Sequence, residues 1–184
     1  MDDLERIAAD AAGGDPLAAA ALVRATQSDV WRLCAALGDR GSADDLTQET
    51  YLRAFGSLHR FENRSSLRTW LLSIARRVCA DAVRARRRRR VTLVRDDADL
   101  EGLAVAEGHT DRTAEGAVVT DLLARLDPDR REAFVLTQLL GLPYAEAAEV
   151  AGCPVGTIRS RVARARADLV ESLAHTRKDD AAQA

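Results

Sequence analysis

Lysine is almost missing from this sequence: of its 27 basic residues only Lys178 is not an arginine. Positive charge therefore comes as planar guanidinium forks, suited to carboxylate and phosphate. The bias also fits a GC-rich genome, so arginine alone proves little. Aromatic residues make up 4% of the chain, prolines number four, and long runs of valine, isoleucine or tyrosine are lacking. Strands have little to be built from, whereas the recurrent alanine, leucine and arginine favour helix. Cys34, Cys79 and Cys153 are odd in number and show no C-x-x-C spacing. They indicate neither a disulfide framework nor a zinc site, and read as small core residues in a reducing compartment. His59, His109 and His175 are scattered, and no H-E-x-x-H pattern, glycine-rich phosphate loop or Ser, His and Asp grouping occurs. No catalytic residue, metal or cofactor is expected. The acidic start MDDLERIAADAAGG has no signal-peptide pattern, and no apolar run approaches the roughly 20 residues of a membrane span. The expectation is a cytoplasmic chain without membrane insertion.

What the sequence does contain is helical periodicity and charge in blocks. With 184 residues and 47% hydrophobic content there is enough apolar surface for one ordinary domain or two small ones. The formal charge of −2 is unevenly spread: RRVCADAVRARRRRR, residues 76–90, sets eight arginines against Asp81 alone, and the following DDADLEGLAVAEGHTDRTAE is strongly acidic. From Asp15 to about Arg90 the apolar residues recur at helical spacing with breaks at LGDRGSADD and SLHRFENRSS, so three or four helices fit. From 91 to 116 the periodicity fades, acids accumulate and glycines appear, the pattern of a flexible linker. Helical patterning returns from 117 to about 175, broken at LDPD, LGLPY and AGCPVG, and residues 176–184 read as a disordered tail. The fold class is all-α: two small helical domains, 1–90 and 117–175, joined by an acidic linker.

In the second domain, LPYAEAAEVAGCPVGTIRSRVARARADL has a short helix, a break at Gly152, Cys153 and Pro154, and a longer helix, the order of a helix-turn-helix. At about 100° per residue, Val155, Ile158, Val162, Ala165 and Leu169 form an inward stripe. Thr157, Ser160, Arg161 and Arg164 then face outward, with Arg159 and Arg166 at the flank. Such a face suits a major groove, arginine meeting guanine edges and hydroxyls meeting phosphate. An antiparallel helix pair with arginines for solubility is the bland alternative.

In the first domain, SADDLTQETYLRAFGSLHRF places Thr47, Tyr51, Ala54, Phe55 and Leu58 on one face, the expected core. Asp45, Gln48, Glu49 and Leu52 share the other, an exposed leucine among polar groups that is either incidental or a docking patch for a basic partner. The next helix turns Leu67, Leu71, Ile74 and Val78 inward and leaves Thr69, Ser73, Arg76, Ala80, Arg84 and Arg87 on the far side, with Arg77 alongside.

ADDLTQETYLRAF resembles the region 2.2 signature of the extracytoplasmic-function sigma factors of the sigma-70 family. SSLRTWLLSIARRVCADAVR resembles their regions 2.3 and 2.4, and PYAEAAEVAGCPVGTIRSRVARAR their region 4.2. The three stretches follow the family's order with a linker between, and the wording GSADDLTQET and GCPVGTIRSRVARAR is similar to its actinobacterial SigC type. The resemblance implies a region 2-like bundle and a region 4-like helix-turn-helix that together serve as a transcription initiation factor. It implies core RNA polymerase bound through Asp45, Gln48, Glu49 and Leu52. It implies a melted promoter −10 element held by Asn63, Arg64 and Ser65 of the loop FENRSS together with Thr69, Trp70, Ser73, Arg76, Arg77, Ala80 and Arg84. The −35 element falls to Thr157, Arg159, Ser160, Arg161 and Arg164, and an anti-sigma partner is in keeping with the family. Trp70 either packs in the core or abuts the point of strand separation, and the acidic linker either occupies a basic channel of the polymerase or is a solvated tether. Arg86 to Arg90 read either as a phosphate anchor without sequence preference or as a disordered basic edge. A stand-alone helix-turn-helix regulator and a non-specific helical nucleic-acid-binding adaptor are the alternatives.

Overall fold

The computed structural model describes residues 3–38, 40–95 and 121–182, which are helical apart from turns and short loops and include no strand. The chain divides into an N-terminal and a C-terminal unit.

The N-terminal unit is built on four helices: α1 (Asp3–Ala12), α2 (Pro16–Leu37), α3 (Ala43–Ser57) and α4 (Leu67–Arg95). Asp15 caps α2 by accepting from the Leu17 backbone N–H at 2.8 Å, and Pro16, which has no N–H to satisfy, occupies the first turn. α2 ends at Gly38, where a Cβ would stand 2.5 Å from Leu46 Cδ1 and 2.8 Å from the Cys34 carbonyl oxygen, so only glycine lets α3 come this close. α2, α3 and α4 pack on one another around Val30, Leu33 and Cys34 of α2, Leu46 and Ala54 of α3, and Leu71, Leu72, Ala75 and Val78 of α4. Each large aliphatic side chain buried there contributes about 1.5–3 kcal/mol of transfer free energy. Two hydroxyls cross this core at no cost in unpaired groups: Thr26 Oγ1 donates to the Leu22 carbonyl and meets the Tyr51 hydroxyl at 2.7 Å. Burial raises the Tyr51 pKa. Cys34 and Cys79, far apart in sequence, meet in the same core, and the hydrogen bond from the Cys79 thiol lowers the Cys34 pKa against the opposing effect of burial. α1 covers a second apolar cluster formed by Ala8, Leu22, Leu58 and Leu67, with Leu4, Ile7, Phe55, Phe61 and Trp70 around it.

Helix α3 buries Tyr51 and Ala54 of the expected face, and Leu58 is buried in the 3-10 turn that follows it, but Thr47 and Phe55 are only half-buried while Leu46 and Thr50 are inside. The face is rotated because α3 serves both α2 and α4. α4 likewise buries Leu67, Leu71, Ile74 and Val78, and adds Leu72, Ala75 and Cys79 because two neighbours flank it. It runs to Arg95, past the boundary expected at 90, since nothing between Leu67 and Arg95 is glycine or proline. The remaining part of the expected linker, 96–116, lies outside the described residues.

The C-terminal unit comprises helical residues 121–125 (α5), α6 (Pro128–Phe134), a π-helical turn (Val135–Leu139), α7 (Tyr144–Ala151) and α8 (Val155–Ala182). Asp127 caps α6 by accepting from Asp129 N–H at 3.0 Å and Arg130 N–H at 3.3 Å. Its core gathers Leu126, Ala133, Val135, Leu136, Leu140, Ala147, Val150, Ile158, Val162 and Ala165. Val155 and Leu169, placed on the inward stripe of α8 by the sequence, are half-buried at its ends. The tail expected to be disordered from 176 continues α8 as helix to Ala182, again without a glycine or proline to stop it. No helix among the described residues is long and apolar enough to cross a membrane.

Candidate nucleic-acid interface

The turn between α7 and α8 is set by Gly152, whose φ of 66° and ψ of 38° lie in the left-handed region. Cys153 N–H closes the turn by donating to the Ala148 carbonyl at 3.1 Å, and the Pro154 carbonyl then accepts from Thr157 N–H at 2.9 Å to start α8. Buried Ala147 and Ala148 leave room for α8 to cross α7.

On α8 the outward residues differ from the sequence expectation at Arg161 and Thr157, both of which are half-buried. Arg161 does not project freely: its guanidinium pairs with Asp129 of α6 and donates to Cys153 Sγ at 3.6 Å, leaving its side chain 23% exposed. Asp129 sits in the first turn of α6, a cross-helix partner that α8's own periodicity cannot reveal. Arg159 and Arg164 are exposed and make no ion pair among the described residues, while Arg166 donates to Gln138 Oε1 at 2.7 Å. Ser160 is exposed with its hydroxyl donating to the Thr157 carbonyl at 2.9 Å, and Thr157 is half-buried. Arg159, which the stripe had placed at the flank, is thus less engaged than Arg161. A second clamp missed by the sequence reading, Arg130 to Asp168 at 2.7 Å, ties α6 to α8.

The loop before α4 and the outer side of α4 form a separate surface on the N-terminal unit. Asn63 adopts φ of 53°, a conformation asparagine tolerates better than most residues. It is exposed, as is Arg64, which pairs with Glu62 at 2.6 Å, and Ser65 is half-buried. Thr69 corrects the sequence reading: it is 1% exposed, its hydroxyl meets Ser66 Oγ at 2.8 Å, and its N–H donates to the same oxygen at 3.1 Å. Ser66 is the helix cap, and Thr69 closes the first turn instead of facing outward. Ser73 is half-buried and donates to the Thr69 carbonyl at 2.9 Å. Trp70, half-buried, packs on Phe61 with ring centroids 5.2 Å apart and keeps one edge exposed, so the packing leaves room for either of the roles read from the sequence. Arg76 and Ala80 are half-buried; Arg77, Arg84, Arg86, Arg87, Arg88 and Arg89 are exposed.

A third surface lies on α3, where Asp45, Gln48 and Leu52 are exposed, Leu52 by 71%, and Glu49 is half-buried. An aliphatic side chain that open to solvent, ringed by two carboxylates and an amide, is the composition of a contact patch for another protein. Beneath the patch Trp31 Nε1 donates to Asp44 Oδ1 at 2.8 Å, and Asp29 receives Arg68 at 2.6 Å, so α2 braces the starts of both α3 and α4. Neither contact was foreseen. The sequence reading passed over Arg53 and noted Asp81 only as the lone acid of its arginine run. Their local spacings, Glu49 to Arg53 and Asp81 to Arg84, suit pairing within a helix, whereas the 2.8 Å bond between Arg53 and Asp81 joins two helices.

Comparison with known proteins gives a consistent result. Residues 22–89 match the family described as Sigma-70 region 2, and residues 117–169 match Sigma-70, region 4. The ECF RNA polymerase sigma factor SigC of Mycobacterium tuberculosis is 54% identical over 95% of this chain and 91% of its own length. The ECF RNA polymerase sigma factor EcfG of Rhodopseudomonas palustris is 39% identical over 72% of this chain and 71% of its own. Among solved structures, CnrH in complex with the cytosolic domain of CnrY superimposes with a TM-score of 0.71 at 29% identity, covering 95% of this chain and 99% of that one. The sigma factor RpoE in complex with the anti-sigma factor NepR from Bartonella quintana gives 0.64 at 31% identity, over 82% of this chain and 93% of that one.

Proposed function

Because the chain belongs to the extracytoplasmic-function sigma factors of the sigma-70 family, we propose that its three surfaces divide the work of promoter recognition, one for the polymerase and two for DNA. As an RNA polymerase sigma factor it binds the core enzyme and directs initiation at promoters. Core polymerase docks on Asp45, Gln48, Glu49 and Leu52. Exposed Arg159, Arg164 and Ser160, with Thr157 at the start of α8, enter the major groove of the −35 element, and Arg161 holds the helix at its angle. The loop residues Asn63, Arg64 and Ser65, with Ser73, Arg76, Arg77, Ala80, Arg84 and the exposed edge of Trp70, take the melted −10 element. Thr69 supports them as part of the α4 cap.

Opening a promoter requires the unpaired strand to be bound more tightly than the duplex, which arginines on the backbone and pockets for unstacked bases accomplish together. The work assigned to these surfaces is binding and not bond-making, so the chain is read as a non-enzymatic factor that acts in the cytoplasm where polymerase and promoter meet. An anti-sigma factor is a further partner, on the precedent of RpoE with NepR. The observation that carries this reading is the presence of both regions, in order, in a chain that is 54% identical to a SigC over 91% of that relative's length. A free-standing helix-turn-helix regulator would not need the α3 patch.

The test mixes purified core polymerase with the chain on a promoter library. New transcript starts and co-elution are expected; absence of both overturns the reading. Glu49→Arg abolishes co-elution while the helical circular-dichroism signal persists, and retained binding by the folded variant refutes the α3 docking surface.

A further inference from the structure

Four side chains form an alternating chain of charge across the N-terminal unit. Glu49 Oε1 accepts from Arg53 Nε at 2.7 Å, Arg53 NH1 reaches across to Asp81 Oδ2 at 2.8 Å, and Asp81 Oδ1 receives Arg84 NH2 at 2.5 Å. Glu49 belongs to the α3 patch and Arg84 to the outer side of α4, so the two ends lie in two different proposed binding surfaces. Arg53 and Asp81 belong to neither. Side-chain exposures of 44%, 44%, 47% and 62% from Glu49 to Arg84 keep every member reachable by a partner.

We propose that Arg53 and Asp81 are positioning residues that convert polymerase docking at Glu49 into release of Arg84 for promoter DNA. In the free protein Glu49 and Asp81 share Arg53, and Asp81 also holds Arg84, so the DNA-facing guanidinium is occupied. A cation on the polymerase that captures Glu49 deprives Arg53 of one acceptor. Arg53 then leans wholly on Asp81, and one carboxylate is left between two guanidinium groups that repel each other. Arg84, at the open end, gives way to the nearest alternative acceptor, a phosphate oxygen. Asp81 is suited to this sharing, because Arg53 first and Arg84 second lower its pKa and keep it ionised. Exposed pairs of this kind are individually weak, worth at most about fivefold in an equilibrium. The relay therefore tunes affinity and does not act as an absolute lock.

The inference rests on the assignment of Glu49 to polymerase and Arg84 to DNA. Its test measures binding of a fluorescent single-stranded oligonucleotide, carrying the −10 sequence of a promoter the holoenzyme uses, to the full chain alone and to the holoenzyme. Asp81→Asn tightens binding by the free chain by about three- to fivefold and changes the holoenzyme by much less, because docking has already freed Arg84. Glu49→Gln, which imitates capture of Glu49, tightens binding by the free chain in the same direction. Equal effects of Asp81→Asn on both forms would reduce it to simple removal of a charge and overturn the relay, as would a Glu49→Gln chain indistinguishable from the parent. Arg84→Ala separates the two levels. If it leaves holoenzyme binding unchanged, the assignment of Arg84 to DNA falls and takes the relay with it. If it weakens binding while Asp81→Asn acts equally on both forms, the relay alone falls.

Discussion

Arg159 and Arg161 stand two positions apart on one helix and have opposite fates. Arg159 is exposed and makes no ion pair among the described residues, whereas Arg161 is drawn against Asp129 and Cys153. A guanidinium already satisfied must give up that partner before it can bind a base, and the lost pair subtracts from whatever the base returns. Arg159→Ala should cost about 1–3 kcal/mol at matched −35 sites and relax preference at one position. Arg161→Ala should instead lower the melting temperature by the equivalent of roughly 1 kcal/mol or less, the scale of a partly exposed ion pair. Anisotropy titrations on matched and mismatched duplexes, paired with thermal melts, distinguish these outcomes. Thr69 teaches the same lesson in the other direction: periodicity put it outside, but the first turn of a helix needs its N–H groups capped, and Ser66 and Thr69 meet that need.

At the scale of elements, the turn between α7 and α8 determines where α8 starts. Gly152 holds φ of 66°, and a Cβ there would meet nothing within 4 Å, so the cost of a side chain is backbone strain without a clash. Gly152→Ala is therefore expected to destabilise the C-terminal unit by about 1–2 kcal/mol, read as an earlier thermal transition with −35 affinity retained below it. This turn was legible in the sequence because glycine and proline act locally. The lengths of α4 and α8 were less so. Both run beyond the expected ends, to Arg95 and Ala182, since fading apolar periodicity ends a buried face without ending a helix. The inward faces of α3 and α4 were legible in part: one apolar stripe was read for each, but each helix packs against two neighbours and buries a wider arc.

For the whole molecule, electrostatics sets how affinity responds to salt. Arg87 and Arg89 of the basic run are exposed and make no ion pair among the described residues, and in the proposed reading they meet phosphate without regard to sequence. Replacing both with alanine should flatten the dependence of log affinity on log salt by about 2, roughly 0.9 per phosphate contact, equally for good and poor promoters. A loss confined to good promoters would make them base contacts instead. The sequence by itself determined the all-helical class, the two regions and their order, the outward patch on α3 and the start of α8, because helical period, glycine, proline and family wording are all carried by neighbouring residues. Only the tertiary structure decided which polar side chains were free to act. Arg161 was taken by Asp129, Thr69 by Ser66, and Glu49 was joined through Arg53 and Asp81 to Arg84. An exposed face read from one helix says where a side chain starts, and the partner that claims it, when it comes from another helix, is visible only once the helices have packed.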